Sequence, residues 1–234
     1  MFDEIMRLAT RNAGMQMGTL DSIAVNIANM NTTGYKTKRF EQYLNNDGEL
    51  GGVNRVDMSP GPLRITRNEF DIGVKGFGYI PVTQPDGTVA YTRDGSLTVN
   101  SQGYLITNNG DIVGNGIQLP LDYETLQIHE DGRVLIKRSE KSDFQEIGRL
   151  KLVRFANPEK LSSIGYNKLV ATAGSGEAVE DPDSILKQGM LESANVNVHE
   201  QVEQILRLNA SLISNLRIIK FVDDLYRQSS NLRQ

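Results

Sequence analysis

Near the start of the chain, Ile5, Leu8, Met15, Ile23, Ile27 and Met30 follow one another at steps of three or four, or multiples of these, with no proline and one interior glycine pair. That spacing predicts an amphipathic helix. A second row, Met6, Ala9, Ala13, Met17, Leu20, Ala24 and Ala28, widens the apolar face, so more than one neighbour is expected for it. At the other end, Val198, Val202, Ile205, Leu208, Leu212, Leu216, Ile219, Val222 and Tyr226 recur every ~3.5 residues, the coiled-coil period. Leu206, Ile213, Ile218, Phe221 and Leu225 broaden this stripe too. Glu200 and Glu203 near its start, and Arg227 and Arg233 near its end, complement a helix dipole, which Asp223 and Asp224 oppose; Asn195 or Asn197 offers an N-cap.

Between the helices the texture changes to short alternating runs punctuated by glycine. Tyr79 to Thr83 and Val89 to Arg93 flank Asp86-Gly87, Leu97 to Asn100 and Tyr104 to Thr107 flank Gln102-Gly103, and Leu126 to Glu130 and Arg133 to Lys137 flank Asp131-Gly132. These are hairpin signatures, and their regular spacing predicts a compact all-β unit, with Arg149 to Phe155 as a further strand. Residues 36–69, broken by Gly48, Gly51, Gly52, Pro60, Gly61 and Pro62, match neither texture and are expected to form an extended or locally ordered connector. The expected fold class is therefore α+β. A helix lies in 1–35, the connector in 36–69, an inserted all-β domain in 70–187 and a second helix in 188–234, the long terminal helices pairing as a coiled-coil-like layer. A wide stripe cannot be buried against one partner helix alone, so self-association or co-assembly is the simplest solution.

Composition removes whole classes of chemistry. The 234 residues can bury a core unaided, and the absence of cysteine excludes disulfides, thiolate catalysis and zinc–thiolate sites. No stretch approaches the roughly 20 apolar residues that span a bilayer, so no membrane insertion is expected. Asp3 and Glu4, with no apolar run after them, do not make a cleavable secretory signal. A net charge of −4 without a basic block leaves no nucleic-acid footprint. His129 and His199 stand without grouped ligands. Gly73, Gly76 and Gly78 have neither phosphate-loop spacing nor a following helix, and Gly174-Ser175-Gly176 lacks the flanks of a nucleophile elbow. Asp181 and Asp183, or Asn108, Asn109 and Asp111, lack the surroundings of a calcium loop. No catalytic residue, cofactor, metal ligand or small-molecule substrate is expected.

The run Asn26-Ile27-Ala28-Asn29-Met30-Asn31-Thr32-Thr33-Gly34-Tyr35-Lys36 is similar to the NxANxxTxGyK/R signature that closes the first helix of bacterial flagellar rod and hook proteins. Asp71 to Gly78 (DIGVKGFG), Tyr91 to Gly95 (YTRDG) and Gly189 to Val198 (GMLESANVNV) agree in order, so nearly the whole chain resembles the flagellar basal-body rod family.

The resemblance implies an axial structural protein whose terminal helices form the inner tube of a rod and whose β domain forms an outer layer. Its implied partners are copies of itself, other rod proteins, hook-basal-body components and, during export, the flagellar type III apparatus. Its implied place is the periplasmic rod of the basal body, reached without a cleaved signal peptide. The assembly contacts are expected at Ile5, Leu8, Ile23, Ile27, Val202, Ile205, Leu212, Leu216, Ile219 and Val222, and the helix-exit motif at Asn26, Asn29, Thr32, Gly34 and Tyr35. The short stretch from Phe40 to Ser59 is similar to the F-type proximal subunit, whereas DIGVKGFGYI and LESANVNVHEQV look like the G-type distal one. The F-type is preferred on this reading, with the G-type as alternative. From Ile205 onward, ILRLNASLISNLRIIKFVDDLYRQ departs from the family's usual QRAYEANSK-like segment. A secreted β-domain binding module dimerised by its helices is the alternative of another class.

Overall fold

A computed structural model describes residues 2–46 and 49–231. They form two terminal helices and a large β-rich domain inserted between them, an α+β architecture that divides into two compact units.

The first unit contains helix α1 (Phe2–Ala28), strands β1 (Lys38–Leu44) and β2 (Leu50–Val56), and helix α2 (Val198–Asn231). Asn197 is the N-cap of α2, its Oδ1 accepting the backbone N–H groups of His199 (3.1 Å) and Glu200 (3.4 Å). Arg233 lies outside the described residues. β1 and β2 pair antiparallel, Lys38 opposite Val56 and Leu44 opposite Leu50, so the segment read as a connector carries a hairpin.

Phe40 explains how that hairpin is held. A Cβ added at Gly18 of α1 would come within 2.8 Å of the Phe40 ring, and one at Gly52 of β2 within 2.1 Å. The ring is thus seated between two glycines, one on the helix and one on the facing strand. Glycine inside a helix costs about 1 kcal/mol relative to alanine, and at Gly18 the seat for Phe40 offsets it. Glu49, which immediately precedes β2, ties the hairpin to α1 again. It accepts from Arg11 at 2.9 Å and from Arg7 at 3.5 Å, and the Arg11 hydrogen bond holds its carboxyl below the usual carboxylate range.

The second unit comprises residues 30–36 and 58–195. Its main sheet has seven antiparallel strands, ordered Ser162–Gly165, Lys168–Val170, Val89–Thr92, Ile80–Thr83, Ile112–Val113, Leu105–Thr107 and Leu97–Val99. A second sheet holds Thr125–Ile128, Arg133–Lys137 and Gln145–Arg149, and two-stranded pairs complete the unit. Alternating residues of both sheets, among them Val82, Leu105, Val113, Val134 and Ile136, form one apolar core with Ile72, Val74 and Leu186. All three hairpins expected from Asp86-Gly87, Gln102-Gly103 and Asp131-Gly132 are present. The strand expected over Arg149 to Phe155 is divided. Gln145–Arg149 ends at Arg149, and Val153–Arg154 pairs with Val179–Glu180, because Leu150 and Leu152 turn into the core. Among the described residues no helix is long and apolar enough to cross a membrane.

Candidate functional site

In the first unit, α1 and α2 run antiparallel. Asn12 Nδ2 donates to Asn215 Oδ1 (3.3 Å), Gln16 Nε2 to Ser211 Oγ (2.6 Å) and Asn26 Nδ2 to Gln201 Oε1 (3.0 Å), so residues advance along α1 as they retreat along α2. The side of α2 covered in this way is Gln201, Ile205, Leu208, Leu212, Asn215, Ile219 and Val222, at alternating steps of four and three. Every other residue between Gln201 and Val222 is exposed.

The expected assembly residues therefore fall into two groups. Ile23 and Val222 are buried, and Ile27, Ile205, Leu212 and Ile219 are half-buried. Leu8, Val202 and Leu216 are exposed, Leu216 at 64%, and the side chain of Ile5 lies outside the described residues. Leu206, Ile213 and Phe221 are exposed as well. The sequence stripe placed Val202 and Leu216 on the seam, where the structure places Gln201 and Asn215. A strict four–three count through Leu208 and Leu212 finds both polar positions, and that was the available signal.

Asn26 has a further role. Its Oδ1 accepts the Lys38 N–H (2.8 Å) and its Nδ2 donates to the Lys38 carbonyl (2.8 Å), so its side-chain amide pairs with the start of β1 as a neighbouring strand would. The same amide meets Gln201, which makes Asn26 a junction of α1, β1 and α2 with 1% exposure. Asn29 bonds back to the Val25 carbonyl at 2.8 Å.

The rest of the helix-exit motif belongs to the second unit, where the four sequence motifs converge on one carboxylate. Glu192, of GMLESANVNV, is fully buried. Its Oε1 accepts Lys36 Nζ (2.6 Å) and the Gly61 N–H (2.9 Å), and its Oε2 accepts Arg93 Nε (2.7 Å). Arg93, of YTRDG, donates onward to the carbonyls of Gly78 (2.7 Å), Gly76 (2.7 Å) and Val74 (3.3 Å), all in DIGVKGFG. These carbonyls are what that glycine-rich run supplies. Its guanidinium also lies 5.5 Å from the centroid of the Tyr79 ring. Lys36 donates a second bond to the Ser59 carbonyl at 2.6 Å, and the Gly34 N–H donates to the Glu192 carbonyl at 2.9 Å.

Gly34 has φ 67°, and a Cβ there would stand 2.7 Å from the Asp94 nitrogen, so both backbone conformation and space call for glycine. Thr32 is half-buried and Tyr35 buried. Burial pushes the Tyr35 hydroxyl up to about 12. Tyr79 is also pushed up to about 12, chiefly by burial and against the pull of Arg93. The roles of Lys36, Arg93 and Glu192 were missed in the sequence because each is an ordinary charged residue there. Their positions inside otherwise apolar or glycine-rich motifs were the only hint.

This arrangement binds and orients segments. A cleft of about 290 Å³ in the second unit gathers Glu130, Asp131, Glu180 and Asp181. Glu130 pairs with Lys187, Asp131 with Arg133 and Glu180 with Lys151, and Asp181 accepts the Ser184 hydroxyl. The hydrogen bonds from Lys187, the Arg133 backbone and Lys151 hold the first three carboxyls below the ordinary range, the opposite of what a general acid needs. Among the described residues no three His, Asp or Glu side chains are grouped for a metal ion.

Two family models match parts of the chain. Residues 73–136 match the flagellar hook protein FlgE/F/G D1 domain, and residues 19–36 match the flagella basal body rod protein model. Over its full length the chain is 31% identical to the flagellar basal-body rod protein FlgG of Borreliella burgdorferi, with 97% of this chain and 98% of the relative covered. The chain belongs to the flagellar basal-body rod protein family. FlgG of Caulobacter vibrioides is 28% identical over 98% of this chain and 99% of its own length, and FlgF of the same organism 28% over 90% and 89%. Rod proteins are structural, not enzymes, in keeping with a site made of packing and paired charge.

Proposed function

We propose that this chain is a G-type, distal subunit of the flagellar rod, polymerising through its terminal helices into the hollow shaft that transmits torque for motility. The observation that carries the reading is the end-to-end similarity to FlgG proteins of several organisms, against shorter coverage of FlgF. It favours the G-type alternative over the F-type preference drawn from the short stretch between Phe40 and Ser59. That stretch is a hairpin, and loop length is a weak marker of kind because insertions there cost little. The FlgG alignment from Caulobacter runs over 261 positions against the 234 residues of this chain, so the relative carries residues that this chain lacks.

Under this proposal α1 and α2 pair as a coiled-coil-like layer, and the exposed side of α2, with Leu206, Ile213, Leu216 and Phe221, meets neighbouring subunits. The partners are further copies, other rod proteins and hook-basal-body components. Delivery runs through the flagellar type III apparatus. The test is a photo-crosslinking amino acid in place of Leu216 in the native bacterium, followed by isolation of basal bodies. Adducts with copies of this chain and with the hook side of the rod are expected. Adducts confined to the membrane side overturn the distal assignment, and basal bodies that lack the chain overturn the rod role itself.

A further inference from the structure

The seam between α1 and α2 is arranged contrary to a pair built for stability. Amides occupy buried positions, with Gln16 at 4%, Asn26 at 1% and Gln201 at 3% exposure, while several of the largest apolar side chains of α2 face outward. Gln16 Oε1 and Asn215 Nδ2 are buried without a hydrogen-bond partner among the described residues. Polar groups at buried helix-pairing positions weaken association but discriminate between alignments.

We propose that the rungs Asn12–Asn215, Gln16–Ser211 and Asn26–Gln201 are a register code, which admits one antiparallel alignment of α1 against α2 and rejects those shifted by a turn. Sliding α2 one turn in one direction sets Asn12 opposite Ile219 and Asn26 opposite Ile205. Sliding it the other way sets Asn12 opposite Leu212, Gln16 opposite Leu208 and Asn26 opposite Val198. Either slip sets Asn12 and Asn26 against aliphatic side chains; Asn26 keeps its bonds to Lys38 but one of its N–H groups loses its partner, and a buried donor or acceptor without a partner is penalised. The aliphatic seam positions Ile205, Leu208 and Leu212 discriminate less, because hydrophobic side chains of similar volume replace one another at little cost. The partner selected is a helix carrying amides at the spacing of Asn12, Gln16 and Asn26. A second copy of α2 does not fit, because it repeats the spacing of Gln201, Ser211 and Asn215 instead. The code is a property of the isolated chain and does not rest on the rod assignment.

The absence of cysteine makes alignment directly readable. Counting from the Gln16–Ser211 rung puts Thr19 opposite Leu208, and both line one small cavity of this unit. In the full chain, Thr19→Cys with Leu208→Cys reports the native alignment, and Thr19→Cys with Leu212→Cys reports a one-turn slip. With native rungs the first pair is expected to close into an intrachain disulfide about tenfold or more over the second. With Asn12, Gln16, Ser211 and Asn215 all changed to Leu, the two should close to similar extents, and disulfide-linked dimers should appear. Retention of the native preference without dimers in that variant overturns the code. A second comparison holds if the fourfold variant loses its helical circular dichroism. The swapped rung, Gln16→Ser with Ser211→Gln, should keep the preference, whereas Gln16→Leu with Ser211→Leu, which leaves two rungs of three, should lower it several-fold. Equal behaviour of these two variants overturns the proposal.

Discussion

Arg93 and Glu192 stand 99 residues apart in the sequence, yet the Arg93 Nε donates to Glu192 Oε2 at 2.7 Å, with both side chains sealed from solvent. Lys36 reaches the other oxygen of the same carboxylate, so one negative charge compensates two buried cations. Such a cluster gives little net stability compared with an apolar core, but it is intolerant of losing a member.

Glu192→Gln is therefore expected to lower the stability of the β-rich unit by about 3–5 kcal/mol, since it leaves Lys36 and Arg93 buried without their counter-charge. Urea unfolding followed by tyrosine fluorescence measures this. Arg93→Lys should also destabilise the unit, because a point ammonium cannot reproduce the fork that serves Glu192 and three carbonyls.

The two interior glycines of α1 should respond with opposite signs. A Cβ at Gly14 meets nothing within 4 Å, so Gly14→Ala should stabilise the helical unit by about 0.5–1 kcal/mol. Gly18→Ala drives a methyl into the Phe40 ring, which Gly52 blocks from behind, and should cost about 1–3 kcal/mol. Thermal melts monitored by helical circular dichroism separate the two.

Ile23 and Leu216 test the division between seam and open face. Ile23→Ala removes a side chain only 2% exposed and should cost the isolated chain about 2–5 kcal/mol. Leu216→Ser should change the chain's own stability by no more than about 0.5 kcal/mol. Under the proposed function it should nonetheless reduce swimming and the amount of the chain recovered in isolated basal bodies.

Alkaline pH should destabilise the β-rich unit. Tyr79 and Tyr35 are raised from the ordinary 10.0 to about 12 in the folded chain, so folding favours the protonated hydroxyl. Their contribution is full below pH 10 and is lost progressively as pH rises through 12. Denaturation midpoints measured across this window should fall, and fall less steeply in Tyr79→Phe.

The helices, the three hairpins and the α+β order were legible in the sequence because each rests on local rules. Apolar steps of three and four describe a helix face, and a glycine after Asp or Gln between alternating runs describes a turn. Gly34 was legible for the same reason, since a positive φ at a helix exit is a local demand. The partner of each side chain was not. On α2, Leu216 and Asn215 are adjacent, and local periodicity favours the leucine. Its seam position went to Asn215 because Asn12 stands across from it on α1.

Lys36, Arg93 and Glu192 show the same limit over longer distances. Beyond the apolar or glycine-rich motifs they sit in, nothing near the three in the chain marks them as buried, since a lone charge inside a protein is prohibitively costly. Only the closed fold, by delivering a carboxylate to two cations and their backbone carbonyls, makes that burial possible. The sequence by itself thus determined the elements, whose energies depend on neighbours a few residues away. The tertiary structure decided which polar groups are buried, because their burial is stable only when distant partners arrive together.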